Sequence, residues 1–491
     1  MSRREFLVFS GAATAALSAC AKSPAAIKAG DAAVAAAERR RRNPQAPVRE
    51  VSLTAGTVSL DTGRGSVTTW GYNGTVPGPE IRLTKGDVLR AWLTNQLPEP
   101  TSIHWHGLAI RNDMDGVPGT TQKDIAPGAT FTYEFTVPES GTFWFHPHSG
   151  TQLDRGLYAP FIIDDPSDTE RYDGEWVVML DDWTDGVGEA PDAILKRLSS
   201  SPGMASMAGM DMAGMQMGKS SPLLGGDSGD VIYPLYFLNG RPPANPAVFD
   251  AKAGQRLRIR LINAGAETAF RVALGGHRLT VTHTDGFPVE PVTGDAVLVG
   301  MAERYDVSVT VAGDGVFPLV AMAEGKGAQA LGLVRSGPGQ PPPPDVHPAE
   351  LDGKVLAVGD LMATAAVTLP SKAPDRVHQV TLTTDMDRFR WRINGRTFDK
   401  RVPLDVRQGQ RVRLVFENRT PMFHPMHLHG HTFQVAGPNG AIGPRKDTVI
   451  VRPMEQVTVD FIGDNPGQWL LHCHNLYHQE TGMMTIVSYV T

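Results

Sequence analysis

Arg256-Leu257-Arg258-Ile259-Arg260-Leu261 alternates charge with aliphatic bulk at every step. In an extended chain successive side chains point to opposite faces, so this stretch has one apolar and one charged face. Phe131, Tyr133, Phe135 and Val137 alternate in the same way with Thr132, Glu134 and Thr136; Val412, Leu414 and Phe416 alternate with Arg411, Arg413 and Val415. One buried face and one wet face describe antiparallel strands of a sandwich. Around these strands a longer pattern recurs. Asn73-Gly74 leads to Lys85-Gly86-Asp87 and Leu93-Thr94-Asn95; Asn239-Gly240 leads to Ala253-Gly254-Gln255 and Leu261-Ile262-Asn263; Asn394-Gly395 leads to Gln408-Gly409-Gln410 and Phe416-Glu417-Asn418. The copies lie roughly 160 residues apart, a domain-sized period that predicts three homologous domains.

Length and composition agree. A chain of 491 residues exceeds what one core serves. Its 52 glycines and 38 prolines suit a loop-rich all-β protein better than a helical bundle. A net charge of -6 offers no basic surface to a polyanion, so nucleic acid is not expected as a partner. Proline-rich joints near Asp165-Pro166 and from Ser336 to Pro344 mark boundaries. The expected division is 1–43, 44–168, 169–340 and 341–491.

The first segment reads as an address. Ser2-Arg3-Arg4-Glu5-Phe6-Leu7 resembles a twin-arginine export signal, and the apolar run that follows is too short to span a bilayer. Leu17-Ser18-Ala19-Cys20 resembles a lipobox, so Cys20 is expected to carry a lipid anchor in the periplasm or cell envelope, with residues 21–42 a tether outside the fold. That leaves Cys473 as the other cysteine of the chain. A lone thiol in an oxidising compartment asks for a role other than a disulfide, and metal ligation is the obvious one.

The histidines point the same way. Ten of the fifteen fall in four clusters: His104 and His106; His146 and His148; His424, His427 and His429; and His472, His474 and His478 around Cys473. In a strand, residues i and i+2 share a face, so each His-x-His offers two imidazoles side by side. Imidazole and thiolate together suit copper, with zinc the competitor on ligand type alone, although one structural zinc needs only four ligands.

These clusters resemble the copper motifs of the multicopper oxidases (laccases, cuprous oxidases, ascorbate oxidase), and the resemblance runs over essentially the whole chain after the leader. The leader, Asn112-Asp113-Met114-Asp115-Gly116 and Met301-Ala302-Glu303-Arg304-Tyr305-Asp306 look most similar to the mycobacterial copper-resistance branch. The resemblance implies three cupredoxin-like Greek-key β-sandwich domains and four copper ions that couple one-electron oxidation of a substrate to reduction of dioxygen to water. It implies that His424, Cys473 and His478 bind a type 1 copper with Met483 as weak axial ligand, Met484 being the adjacent alternative. A methionine there implies a low to middling potential. By the same resemblance His104 and His427 hold a type 2 copper, and His106, His146, His148, His429, His472 and His474 hold a type 3 pair between the first and third domains. The middle domain has Ala264 to Phe270 where the third has its histidines, so it is expected to act as a copper-free spacer. His277, His283, His347, His378 and His431 remain as ordinary histidines, with His431 the one beside ligands.

For protons, the resemblance assigns Asp115 to the neighbourhood of the type 2 copper, the alternative being a turn residue before Gly116. Many bacterial relatives carry an acid directly after the second type 1 histidine. Here that residue is Gln479, so the relay is expected to use Glu480, water or another acid. Asp447 is expected to orient His424. For the reductant, Met204, Met207, Met210, Met212, Met215 and Met217 punctuate a Gly-rich insert at about 199–221, and thioethers favour Cu(I). Met422 is expected to pass an electron toward the type 1 site. Oxidation of Cu(I) is the favoured activity; a laccase acting on phenols and a non-catalytic copper-binding envelope protein are the alternatives.

Overall fold

The computed structural model describes residues 25–200, 220–385, 388–437 and 440–491. The export motif, Cys20 and the methionines from Met204 to Met217 lie outside the described residues.

Three β-sandwiches follow one another. In the first, a sheet ordered Ser66–Tyr72, Val48–Asp61, Val88–Asn95, Thr130–Thr136 faces a sheet ordered Ile81–Thr84, Ala159–Asp164, Gly141–His146, His104–His106. The second and third repeat the plan with six strands in the first sheet and six and five in the facing one: Gly174–Trp183 and Arg376–Thr384 stand where Val48–Asp61 stands. Apolar faces close inward, giving each sandwich its own core. Each opening strand pairs in parallel with the strand that ends in Asn95, Asn263 or Asn418, Val48 beside Val88, Gly174 beside Leu257 and Arg376 beside Val412. The antiparallel pairing expected from the alternation holds for the other neighbours of these strands, and this parallel pair is added to it in each domain. Parallel neighbours cannot be joined by a tight turn, and in each domain the chain passes through the opposite sheet between them, at Ile81–Thr84, Ala247–Asp250 and Leu404–Val406.

The repeated motifs are repeated devices. Asn73, Asn239 and Asn394 adopt positive φ (51°, 52° and 51°) at hairpin turns closed by the following glycine. Each side chain accepts a hydrogen bond from the opening strand, from Thr54 N, Met179 N and Thr381 N respectively. Asn95, Asn263 and Asn418 each donate to two carbonyls and so fold the loop that aims the next strand. That next strand is His104–His106 in the first domain, Phe270–Leu274 in the second and His424–Leu428 in the third. Three equivalent scaffolds therefore carry ligand-type residues in two cases and packing residues in one.

Two boundaries move. Pro341–Pro344 does not open the third sandwich, because Val355–Leu356 adds a strand to a sheet of the second, beside Ala296 and Val297. The expected tether is also not outside the fold over its described part. Ala32–Arg41, alanine-rich and helix-favouring, forms a helix that buries Val34 and Ala37. Its Glu38 accepts from Thr136 N and Oγ1 at 2.8 and 2.7 Å. Ile27 N donates to Tyr489 O, so the segment spans the first and third sandwiches.

Candidate metal centres

The strand His424–Leu428 lies between Thr448–Val451 and Gln468–Cys473, in a register that sets Met426 opposite Cys473 and His427 opposite His472. Because neighbours along a strand face opposite ways, Cys473 turns into the third core while His472 turns toward the first domain. The alternation makes two centres.

At the cysteine centre, Cys473 Sγ lies 3.6 Å from His424 Nδ1 and 3.7 Å from His478 Nδ1, and the two Nδ1 atoms are 3.1 Å apart. All three side chains are fully buried. The far nitrogens are taken: Asp230 Oδ2 accepts from His478 Nε2 at 2.9 Å, and Thr420 Oγ1 bonds His424 Nε2 at 2.8 Å. Thr420 directs its own proton to Asn418 Oδ1 or Met422 O, so it accepts from His424. Each imidazole thus carries its proton on Nε2 and turns a bare lone pair inward. Two lone pairs converge with only the weakly donating thiol between them. Met483 is buried in the same apolar cluster, its carbonyl accepting from Cys473 N at 3.1 Å. Trp391 covers His478, ring centroids 3.9 Å apart. Burial raises the Cys473 thiol and lowers both imidazoles, so only a cation would stabilise the thiolate here.

The second centre is a nest of eight histidines, four from each outer domain. His104 stacks on His429 at 3.7 Å and His106 on His427 at 3.8 Å, in each case one ring from either domain. His146 and His148 approach from Gly141–His146 and the loop after it, where Trp144 stacks on His146 at 4.4 Å. His472 Nδ1 bonds Cys473 O and His429 Nδ1 bonds Asp115 Oδ2, so both Nε2 atoms are bare, yet they face each other at 3.1 Å. His104 Nε2, His106 Nδ1, His148 Nε2, His427 Nε2 and His474 Nδ1 are buried without any hydrogen-bond partner. Orphaned buried ring nitrogens in such numbers are costly unless cations fill the space between them. Burial also holds His106, His146, His148, His427, His429, His472 and His474 below the ordinary imidazole range, in the neutral form that ligates metal. The donor set fits copper at both centres.

Two aspartates orient the nest. The Asp115 carbonyl accepts from His104 Nδ1 at 2.9 Å, while its Oδ2 accepts from His429 Nδ1 at 3.0 Å. Gly116 makes this turn possible: φ is +81°, and a Cβ there would lie 1.7 Å from Ile103 O. The Asp447 carbonyl accepts from His427 Nδ1 at 2.9 Å, while its Oδ1 accepts from His106 Nε2 at 3.1 Å. The expected link from Asp447 to His424 is therefore corrected. In the antiparallel register His424 lies opposite Val451 and His427 opposite Thr448, which puts Asp447 at the far end of the strand from His424.

Other expectations are met unevenly by the geometry. Glu480, raised by burial, accepts from Gln479 Nε2 at 3.0 Å and has no ligand-type histidine among its hydrogen-bond partners. His431 does touch the nest's support, bonding His429 O and Tyr489 OH at 3.0 and 2.7 Å. His277, His283, His347 and His378 are occupied locally by Gly275, Thr282, Asp352 and Asp405. Met422 is buried beside His424, and Asp227 bridges to it from the second domain. The second domain is more than a spacer: it contributes Asp230 to His478 and Arg304 to Asp447. Neither residue lies in a cluster of ligand-type residues. The Glu303-Arg304-Tyr305-Asp306 run was the one available signal for Arg304.

Comparisons with known proteins show the family. Sequence profiles described as multicopper oxidase match residues 52–168, 174–337 and 371–490. The chain is 50% identical to the multicopper oxidase MmcO of Mycobacterium tuberculosis, over 100% of this chain and 97% of that protein. It is 29% identical to a copper resistance protein A homolog of Pseudomonas syringae pv. tomato, covering 88% of this chain and 91% of the relative. The crystal structure of a multicopper oxidase from Pseudomonas thermotolerans superposes with a TM-score of 0.70 at 27% identity, over 91% of this chain and 100% of that one. A cysteine centre and a histidine nest on three cupredoxin sandwiches, matched along the chain by these relatives, make this protein a member of the multicopper oxidase family, a copper enzyme that couples substrate oxidation to the reduction of dioxygen.

Proposed function

We propose that the chain holds four copper ions and oxidises Cu(I) to Cu(II) in the cell envelope. The type 1 ion would be held by His424, Cys473, His478 and Met483, the type 2 ion by His104 and His427, and the type 3 pair by His106, His146, His148, His429, His472 and His474. When bound, copper supplies one-electron acceptance at Cys473 and four-electron reduction of dioxygen to water at the nest. The chain supplies the rest. Cys473 is covalently continuous with His472 and His474, so a few bonds join the two centres. Asp115 is placed to move protons at His429 and His104. Asp230 holds the His478 ring by its outer nitrogen, and its side chain keeps 14% of its surface, the edge that reaches solvent.

The observation that carries the Cu(I) reading is the border beside His424 and His478: a backbone bridge sets Asp227 of the second domain against Met422, two residues before His424, and Asp230 accepts from His478 Nε2. A soft thioether selects Cu(I), and carboxylates favour the Cu(II) product. A relative named for copper resistance agrees. The methionines from Met204 to Met217 would deliver the ion to this border. Export by the twin-arginine route and anchoring through Cys20 would place it at the membrane.

Metal analysis of copper-replete protein should find four atoms per chain and an intense blue absorption that Cys473→Ser abolishes. Oxygen uptake with Cu(I) should fall at least tenfold in Met422→Leu and on deleting residues 204–217, while uptake with a phenol stays within twofold. Equal losses with both reductants, or none with Cu(I), would overturn the assignment.

A further inference from the structure

We propose that Arg304, from the domain that supplies no copper ligand, is a positioning residue of the oxygen-reducing centre: it pins Asp447 and thereby fixes which nitrogen His106 presents. The inference rests on the four-copper reading only in naming the occupant of the nest.

Arg304 Nη1 and Nη2 grip Asp447 Oδ1 and Oδ2 at 2.8 and 2.7 Å, a two-pronged ion pair with both side chains at 0% exposure. The guanidinium is fixed from its other edge, because Nε donates to Thr142 O of the first domain at 3.0 Å. Asp285 fixes the main chains on both sides: Oδ1 accepts from Arg304 N at 2.9 Å, and Oδ2 accepts from Asp447 N and Thr448 N at 3.1 Å each. Lys446 balances the remaining charge, its Nζ 3.2 Å from both Asp285 Oδ2 and Glu303 Oε1. One residue of the middle domain thus touches both outer domains at the seam where the nest forms.

This pinning selects tautomers. With Oδ1 held, the His106 proton must sit on Nε2 to meet it, and Nδ1 is left bare toward the nest. The main-chain carbonyl of the same Asp447 takes the proton of His427 on Nδ1, leaving Nε2 bare. Two stacked rings are therefore set in opposite tautomers by one residue. Gly107 shows how closely the grip is packed: a Cβ there would lie 2.4 Å from Arg304 Nη2 and 2.7 Å from Asp447 Oδ2. A carboxylate released from Arg304 could turn away from His106, and that ring would lose its orientation.

The test compares wild type, Arg304→Lys and Arg304→Met as full, copper-replete chains. Copper per chain after dialysis against a chelator, the paramagnetic resonance hyperfine splitting of the His104–His427 copper, and oxygen uptake are read, with the blue absorption of Cys473 reporting an intact third domain. Arg304→Met should keep the blue absorption while copper retention in the nest and oxygen uptake fall about 10- to 100-fold. Arg304→Lys, which keeps the charge and loses the two-pronged grip, should fall between, with a changed splitting. If the methionine variant does not fold, the lysine variant decides. A blue variant with wild-type copper retention, splitting and uptake within twofold would overturn the role of Arg304. A wild-type count below four would instead strike the four-copper reading, and the ratio of variant to wild type would still judge Arg304.

Discussion

Asp115 and Asp447 do the same job from opposite sides of the nest. Each gives its main-chain carbonyl to a histidine of its own domain and its carboxylate to a histidine of the other. They differ in what holds the carboxylate. Asp447 is gripped by Arg304, whereas Asp115 Oδ1 makes no hydrogen bond, and no arginine or lysine among the described residues pairs with it. A carboxylate locked to a guanidinium orients its partners and exchanges no proton. Asp115, held by no cation, is the one to which the proposed function gives the proton-moving role. The two carboxylates thus differ in whether a buried cation holds them.

The comparison breaks first at Asp447. Asp447→Asn removes the two-pronged partner of the buried Arg304 and leaves it only Asp285, 3.5 Å from Nη1, which should cost about 3 kcal/mol. Denaturant unfolding of the metal-free protein measures this, and a loss under about 1 kcal/mol would mean that Asp447 is not pinned in the sense argued. Asp115→Asn should behave in the opposite way. Its stability should stay within about 1 kcal/mol of wild type and its copper should be retained, while turnover falls about 100-fold or more because an amide cannot donate a proton. Equal effects of the two substitutions on stability would erase the distinction.

A smaller effect separates the two corners by pH. His431 backs the Asp115 corner through His429 O, and burial lowers it to about 4. In the unfolded chain an imidazole titrates near its ordinary value of about 6.5. Between these values the unfolded state binds a proton that the folded state refuses, so stability is full above about 6.5 and is lost as pH falls toward 4. From pH 7 to 5 this one residue should account for about 2 kcal/mol in the metal-free protein. His431→Gln should flatten that slope by the equivalent of one proton, and an unchanged slope would show that His431 is not held neutral.

The sequence showed the strands, the threefold repeat and the ligand-type residues, because all three are local signals: alternation, Asn-Gly turns and His-x-His spacing. Asp115 was visible through the family resemblance, eleven residues past His104, while its Asp-Gly turn alone would have marked only a loop. Asp447 was visible as a residue but was set against His424, since nearness in a motif says nothing of antiparallel register. Arg304 and Asp230 were hidden as functional groups because their partners lie 143 and 248 residues away. A chain read locally counts ligands, so the domain without ligands looked inert. The leader's tail was misjudged for a related reason: an alanine- and arginine-rich stretch has the composition of a linker and also of a helix, and only Glu38 meeting Thr136 decides between them.

That docked tail gives the smallest prediction. Arg41 donates to Ala109 O at 2.7 Å and to Asn465 Oδ1 at 3.0 Å, joining the first and third domains behind the nest. Asn465 in turn donates to Ile110 O and to Gly430 O, the residue after His429. The latch therefore ends one residue from the ring that Asp115 holds and does not touch the Asp447 corner. Arg41→Ala should cost about 1 kcal/mol, the net worth of a part-exposed pair of hydrogen bonds. If the two corners are independent, that loss should add to the loss from Asp447→Asn and fall short of additivity with one from His431→Gln. Unfolding of the two double variants reads this directly, and additivity in both pairs would show that the latch steadies the seam as a whole and not the Asp115 side of it.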